Sequence, residues 1–208
     1  MLTRCDGMSV NSSLHSPDGR AARLLAVGGV VGPVAFVVAW VLAGSVTSGY
    51  SPVNDAISDL AATHAPARFG MTLGFVAFGA GVIPFGFALR KVQAGPAWMS
   101  AVATAAFTFA VAAVPLGGPV RDVIHGTFAS LGYLTLVGVP VLASRTFVSR
   151  GRPGWVRYSC ATAAVAGACL LASALGPMHG LFQRVGLTVG DVWIVVVASQ
   201  LLAARELF

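Results

Sequence analysis

Six stretches of the chain are apolar at nearly every position, and polar residues collect in the intervals between them. The stretches cover 24–46, 69–89, 97–116, 123–144, 158–176 and 185–204, each 19 to 23 residues long. At 1.5 Å per residue a helix of that length covers the roughly 30 Å hydrocarbon core of a bilayer, and no other open structure satisfies its own backbone there. The pattern predicts an all-α membrane protein, a six-transmembrane-helix bundle occupying residues 24–208. Pro33, Pro84 and Pro140 fall inside these runs. They would break soluble helices, but in a membrane neighbouring helices re-satisfy the freed carbonyls.

Residues 1–23 are polar, rich in Ser, Asp and Gly and without apolar periodicity, so a disordered cytoplasmic tail is expected. A cleaved signal peptide is the rival reading of the first run, since Ala43, Gly44 and Ser45 are small enough for a cleavage site. That run is longer than the usual 7 to 15 residue signal core, which favours a retained span.

Composition narrows the class. Only 10% of the residues are charged and 56% are hydrophobic, where a soluble domain carries about 25% charge. The net charge of +6 would suit nucleic acid only if the cations formed a solvated patch. They are few and dispersed, so the bilayer is the expected partner and no nucleic acid is. Cys5, Cys160 and Cys169 show neither a disulfide framework nor zinc-ligand spacing, and Cys160 and Cys169 read as packing residues of the fifth helix.

Charge also orients the bundle. Arg4, Arg20, Arg23, Arg90, Lys91, Arg145, Arg150, Arg152, Arg157 and Arg205 fall on the side shared by both termini, ten cations against Arg68, Arg121 and Arg184 on the other. The positive-inside rule then puts both termini in the cytoplasm of a multi-pass cell-membrane protein. Trp98, Trp155 and Tyr158 at the inner boundary and Tyr50 at the outer one fit interfacial anchors, while Trp40 and Trp193 lie deeper. Twelve arginines to one lysine suggest a GC-rich bacterial genome, hence a bacterial plasma membrane.

A repeat is visible. Arg68-Phe-Gly-Met-Thr-Leu-Gly74 and Arg184-Val-Gly-Leu-Thr-Val-Gly190 lie 116 residues apart, with Gly126-Thr-Phe-Ala-Ser-Leu-Gly132 midway. The 58-residue period fits three repeated helical hairpins whose small residues let helices pack closely. Three hairpins of membrane-set length would give a similar period without any common ancestry, and both readings stand.

Asp55, Asp59, Asp122 and Asp191 map to the outer side or outer half of the bundle, with His64, His125, His179 and the three minority arginines. After Tyr50-Ser-Pro the first outer connection offers Asn54 as a helix N-cap, and the short helix expected there sets Asp55, Ser58 and Asp59 on one face. Two carboxylates so placed call for a cation, a metal or a shared proton, or else form a solvated face. Asp122 and His125, at i and i+3, are either a metal or acid–base pair or a helix-terminal anion beside a hydrogen-bonding histidine. Asp191 lies six residues beyond the start of its run, where an unpaired carboxylate is costly and must face the interior. Arg184, seven residues earlier, Arg68 and Arg121 are its candidate partners.

These residues resemble domain-of-unknown-function family 998, small prokaryotic six-helix membrane proteins. The matching elements are Tyr50-Ser-Pro with Asp55-Ala-Ile-Ser-Asp-Leu60, Asp122 with His125-Gly126, and Gly180-Leu-Phe-Gln-Arg184 followed by Trp193. The resemblance implies the same topology and carries no catalytic role.

Three function classes remain open. The plainest is a structural or accessory membrane protein whose outer charges close the bundle. The second is a membrane-embedded metal-dependent hydrolase of a lipid or lipid-linked substrate, with catalytic candidates Asp55, Asp59, Asp122 and His125 and a divalent metal such as zinc held among His64, His125 and His179. Absence of HExxH, GxSxG and paired HxxxH motifs weighs against it. The third is a small transporter or receptor, its ligand entering from the outer side to Asp59, Arg68, Arg184 and Asp191, with proton coupling at Asp191. Six helices are few for a transporter, so that reading favours a homo-oligomer.

Overall fold

Each apolar run becomes a helix, and most of the helices continue past the run into flanking polar residues. The computed structural model describes residues 17–93 and 95–203. In chain order the helices are α1 (Pro17–Ala26), α2 (Gly28–Val46), α3 (Arg68–Val92), α4 (Ala97–Ala113), α5 (Pro119–Ser149), α6 (Pro153–Leu175) and α7 (His179–Leu202), with a short 3-10 helix at Ile57–Ala61 between α2 and α3. No strand occurs among the described residues. Pro119 and Pro153 begin α5 and α6, where proline suits the first turn because its missing N–H would have had no partner.

The N-terminal stretch is more ordered than its polarity suggests. Residues 17–23 of the expected disordered tail belong to α1, which runs into α2 with one interruption at Val27; residues 1–16 lie outside the described set. Gly19–Val46, α3, α5, α6 and α7 are each long and apolar enough to cross a membrane. α4 is apolar but has 17 residues, about 25 Å of helix, and the rest of its run falls in the bent connection 114–118. Pro33, Pro84 and Pro140 sit inside continuous helices.

Consecutive helices pack as neighbours from α2 to α7, α7 closes back on α2, and α1 rests on α3 and α7. Among lipid tails, which are as apolar as leucine, close packing rather than the hydrophobic effect holds helices together. Gly28 and Gly32 meet Gly81 backbone to backbone: a Cβ on Gly28 would stand 2.3 Å from the Gly81 carbonyl oxygen. The repeat glycines also lie at contacts, Gly74 against Ala39, Gly132 against Phe107 and Gly190 against Leu136. Phe85, Phe147, Ile194 and Trp193 fill the centre, with Trp193 Nε1 donating to Ser159 Oγ at 3.0 Å. Phe69, Leu134 and Leu175 project outward, each more than two-thirds exposed, as a lipid-facing surface requires. Cys160 is exposed as well and Cys169 half-buried, so Cys160 is not the packing residue that its apolar setting suggested.

Candidate functional site

Three connections converge at one end of the bundle, here termed the acidic end. Thr63 N–H donates to Leu116 O at 2.8 Å, joining the α2–α3 and α4–α5 connections, and Leu181 N–H donates to Val53 O at 3.0 Å, joining the first of these to the start of α7. Arg184 locks that junction. Its side chain is 7% exposed; Nη1 donates to Pro52 O, Asp55 O and Gly180 O at 2.8, 2.9 and 2.8 Å, and Nη2 donates to the Tyr50 hydroxyl. The guanidinium also lies 5.4 Å from the ring centres of Trp40 and Tyr50, a cation–π arrangement that explains why Trp40 sits below the interface. Tyr50 in turn donates to Ala56 O at 2.9 Å. Burial pushes its phenol above the ordinary tyrosine value; Arg184 opposes the shift, and Asp59 and Asp55 add to it. Gly180 is required here, since any Cβ would meet Asp55 O at 2.2 Å.

The acidic residues of the connections are engaged with backbone. Asp55 Oδ2 accepts from Ser51 N–H at 2.7 Å and Asp59 Oδ2 from Ala56 N–H at 2.8 Å. The two carboxylates therefore bind separate turns of their own loop and do not form a paired face. The local helix is a 3-10 turn that starts after Ala56, so Asn54 does not cap it; its amide bonds to Ser51 Oγ instead. Asp122 Oδ1 accepts from Gly117 and Gly118 N–H at 2.8 and 3.3 Å, the anion at a helix N-terminus that the dipole favours.

The histidines are dispersed. His64 is exposed, His179 half-buried, and His125 buried with Nδ1 2.7 Å from Val114 O and Nε2 without a partner. Among the described residues no three His, Cys, Asp or Glu side chains stand close enough to share one metal ion. Arg68 and Arg121 are exposed.

Beneath the 3-10 helix lies a cavity of about 50 Å³ within the bundle. Five phenylalanines line it: Phe36 of α2, Phe75 and Phe78 of α3, Phe107 of α4 and Phe128 of α5. Ile57 and Ser58 roof it, and Tyr133, Gln183 and Asp191 supply polar atoms. Gln183 fastens the roof, its Oε1 accepting from Ile57 N–H at 2.7 Å and its Nε2 donating to the Tyr133 hydroxyl. Asp191 is 3% exposed, and neither carboxyl oxygen has a hydrogen-bond partner. The partners expected for it are elsewhere: Arg184 is turned to the connection, and Arg68 and Arg121 face outward. Of the candidate ligand residues, Asp191 lines this cavity, and Asp59, Arg68 and Arg184 are not among its lining residues.

Gln183, Tyr133 and the phenylalanine walls escaped the sequence reading. One signal was available: Gln183, Leu187 and Asp191 follow at i, i+4 and i+8, a single helical face, and all three line the cavity.

The chain matches the family described as a protein of unknown function, DUF998, over residues 30–200. No curated protein and no solved structure matches it.

Proposed function

The chain belongs to the DUF998 family, and from that premise we propose a six-span protein of the bacterial plasma membrane, both termini cytoplasmic, that takes a small guest into the cavity beside Asp191. The family and the apolar helices make it a multi-pass membrane protein; the ten-to-three distribution of cations supports the orientation, which puts the acidic end outside. α4 with the residues that follow it supplies the sixth span.

One observation carries the binding reading: a fully buried carboxyl without a partner, in the wall of a cavity. An unsatisfied buried carboxyl is costly in a bundle whose only task is to hold together, and a guest that meets it offsets the cost. By the volume of a water-sized sphere the space takes about three to five small atoms, so the guest is small. This is the receptor or carrier class rather than a purely structural one.

Two measurements test the proposal. A reporter fused after Ala62 should report an extracytoplasmic position, and a cytoplasmic signal would overturn the orientation. Xenon should bind the full chain in mild detergent, seen as a saturable shift in its NMR signal, and Gly132→Leu should abolish that shift, because Gly132 lines the cavity with only ordinary contacts around it. A shift equal in both proteins, or in neither, would overturn the cavity reading.

A further inference from the structure

We infer that the guest is a small organic ammonium ion, held by the Asp191 carboxylate against the phenylalanine rings. This rests on the guest-binding reading above and adds the chemical class. The cavity offers an acceptor without a donor: both Asp191 oxygens are buried and unpartnered. A guest that stabilises them must bring positive charge, N–H donors, or both. The same cavity is lined by aromatic rings. Phe36 lies with its ring centre 5.6 Å from that of Phe75 and 5.4 Å from that of Phe78, and an aromatic cluster is the kind of surface that attracts an alkylammonium.

The lining also bears on an inorganic cation. Sodium or a divalent metal needs several oxygen ligands around it. Gln183 Oε1 already accepts from Ile57, while the Thr104 and Thr108 hydroxyls donate to carbonyls of their own helix at 2.9 Å and keep lone pairs for a ligand. Asp191 is the one carboxyl in a lining that five phenylalanines share, a setting that favours a cation wrapped in methyl groups over a bare metal ion. Size sets the upper end, since a cavity of about 50 Å³ suits an ammonium ion with few methyl groups rather than a long alkylamine.

The test titrates trimethylammonium chloride and sodium chloride into the full chain in neutral detergent, followed by calorimetry, with xenon as the neutral probe. Trimethylammonium should bind saturably to the wild type and about tenfold or more weakly to Asp191→Asn, with sodium giving no saturable heat. Xenon retained by Asp191→Asn would show that the variant keeps its cavity. Gly132→Leu, which keeps Asp191, should lose both ligands, and this second variant decides the matter if Asp191→Asn fails to fold. Equal trimethylammonium binding in wild type and Asp191→Asn, or tighter binding of sodium, would overturn the ammonium assignment. Xenon binding without any ammonium binding would overturn the assignment and leave the cavity reading standing; loss of both in the wild type would overturn both.

Discussion

Arg184 and Asp191 stand on one helix, seven residues and about 10 Å apart, and both are buried. The arginine has three carbonyls, a phenol and two aromatic faces around it. The carboxyl has nothing. Had the two charges met, each would have satisfied the other and α7 would carry a simple internal clasp. Their separation means that the cation holds the first connection over the bundle, while the carboxyl stays free beneath it. A buried charge surrounded by donors or acceptors is structural, and one left without them is available to something not yet there.

The largest effect should come from cutting the structural side. Arg184→Met takes the guanidinium donors away from three carbonyls and the Tyr50 oxygen and removes a charge-assisted anchor, so a loss of about 3–5 kcal/mol is expected. Denaturant unfolding in detergent micelles would measure it, and hydrogen exchange at Ile57 should speed up. A loss under 1 kcal/mol would mean that the anchor is dispensable. Gly180→Ala attacks the same junction through sterics. Its methyl would overlap Asp55 O, and displacing that backbone should cost about 1–3 kcal/mol, with Gly180→Ser no better. Unaltered melting of both variants would show that the connection can move aside freely.

The helical runs were legible because a bilayer imposes a length and an apolarity that single residues cannot disguise. Helix ends were less so: α5 starts at Pro119 and ends at Ser149, beyond the apolar run on both sides, because a helix has no reason to stop where the hydrocarbon does. Asp191 was legible as an interior group from its depth alone. Its lack of a partner was not, because sequence spacing put Arg184 near the same face without revealing that Pro52, Asp55 and Gly180 carbonyls would claim the guanidinium first. The cavity was invisible for a similar reason. Its phenylalanines come from four helices, and no local pattern reports which faces meet.

Smaller effects separate the local roles at the acidic end. Asp122→Ala should cost about 1 kcal/mol, the ordinary value of a helix-terminal anion with its hydrogen bonds, measurable by the same unfolding experiment; a loss several times larger would show that the carboxylate has a further partner. Tyr50 provides a pH signature. Its phenol is held above the usual value near 10, so the fold favours the neutral form. That contribution is complete below about pH 10 and is lost as pH rises through the folded value. Wild-type stability should fall more steeply above pH 10 than that of Tyr50→Phe, with a difference on the order of 1 kcal/mol or less. Parallel pH profiles would mean that the phenol does not feel its burial.

The smallest expected change in stability bears most directly on the comparison. Asparagine has the shape of a carboxylic acid, and where the carboxyl has no partner to lose, Asp191→Asn should shift unfolding by less than about 1 kcal/mol in either direction. If Asp191 were half of a clasp, removing its charge would strand a buried cation and cost about 3–5 kcal/mol. The two outcomes are well separated. The paired variant Arg184→Met with Asp191→Asn makes the point independently. If the residues act separately, the loss in the double variant should equal the sum of the single losses to within about 0.5 kcal/mol. A coupling well above that would mean that the two residues sense one another through the helix, and the division between a structural cation and an available carboxyl would fall.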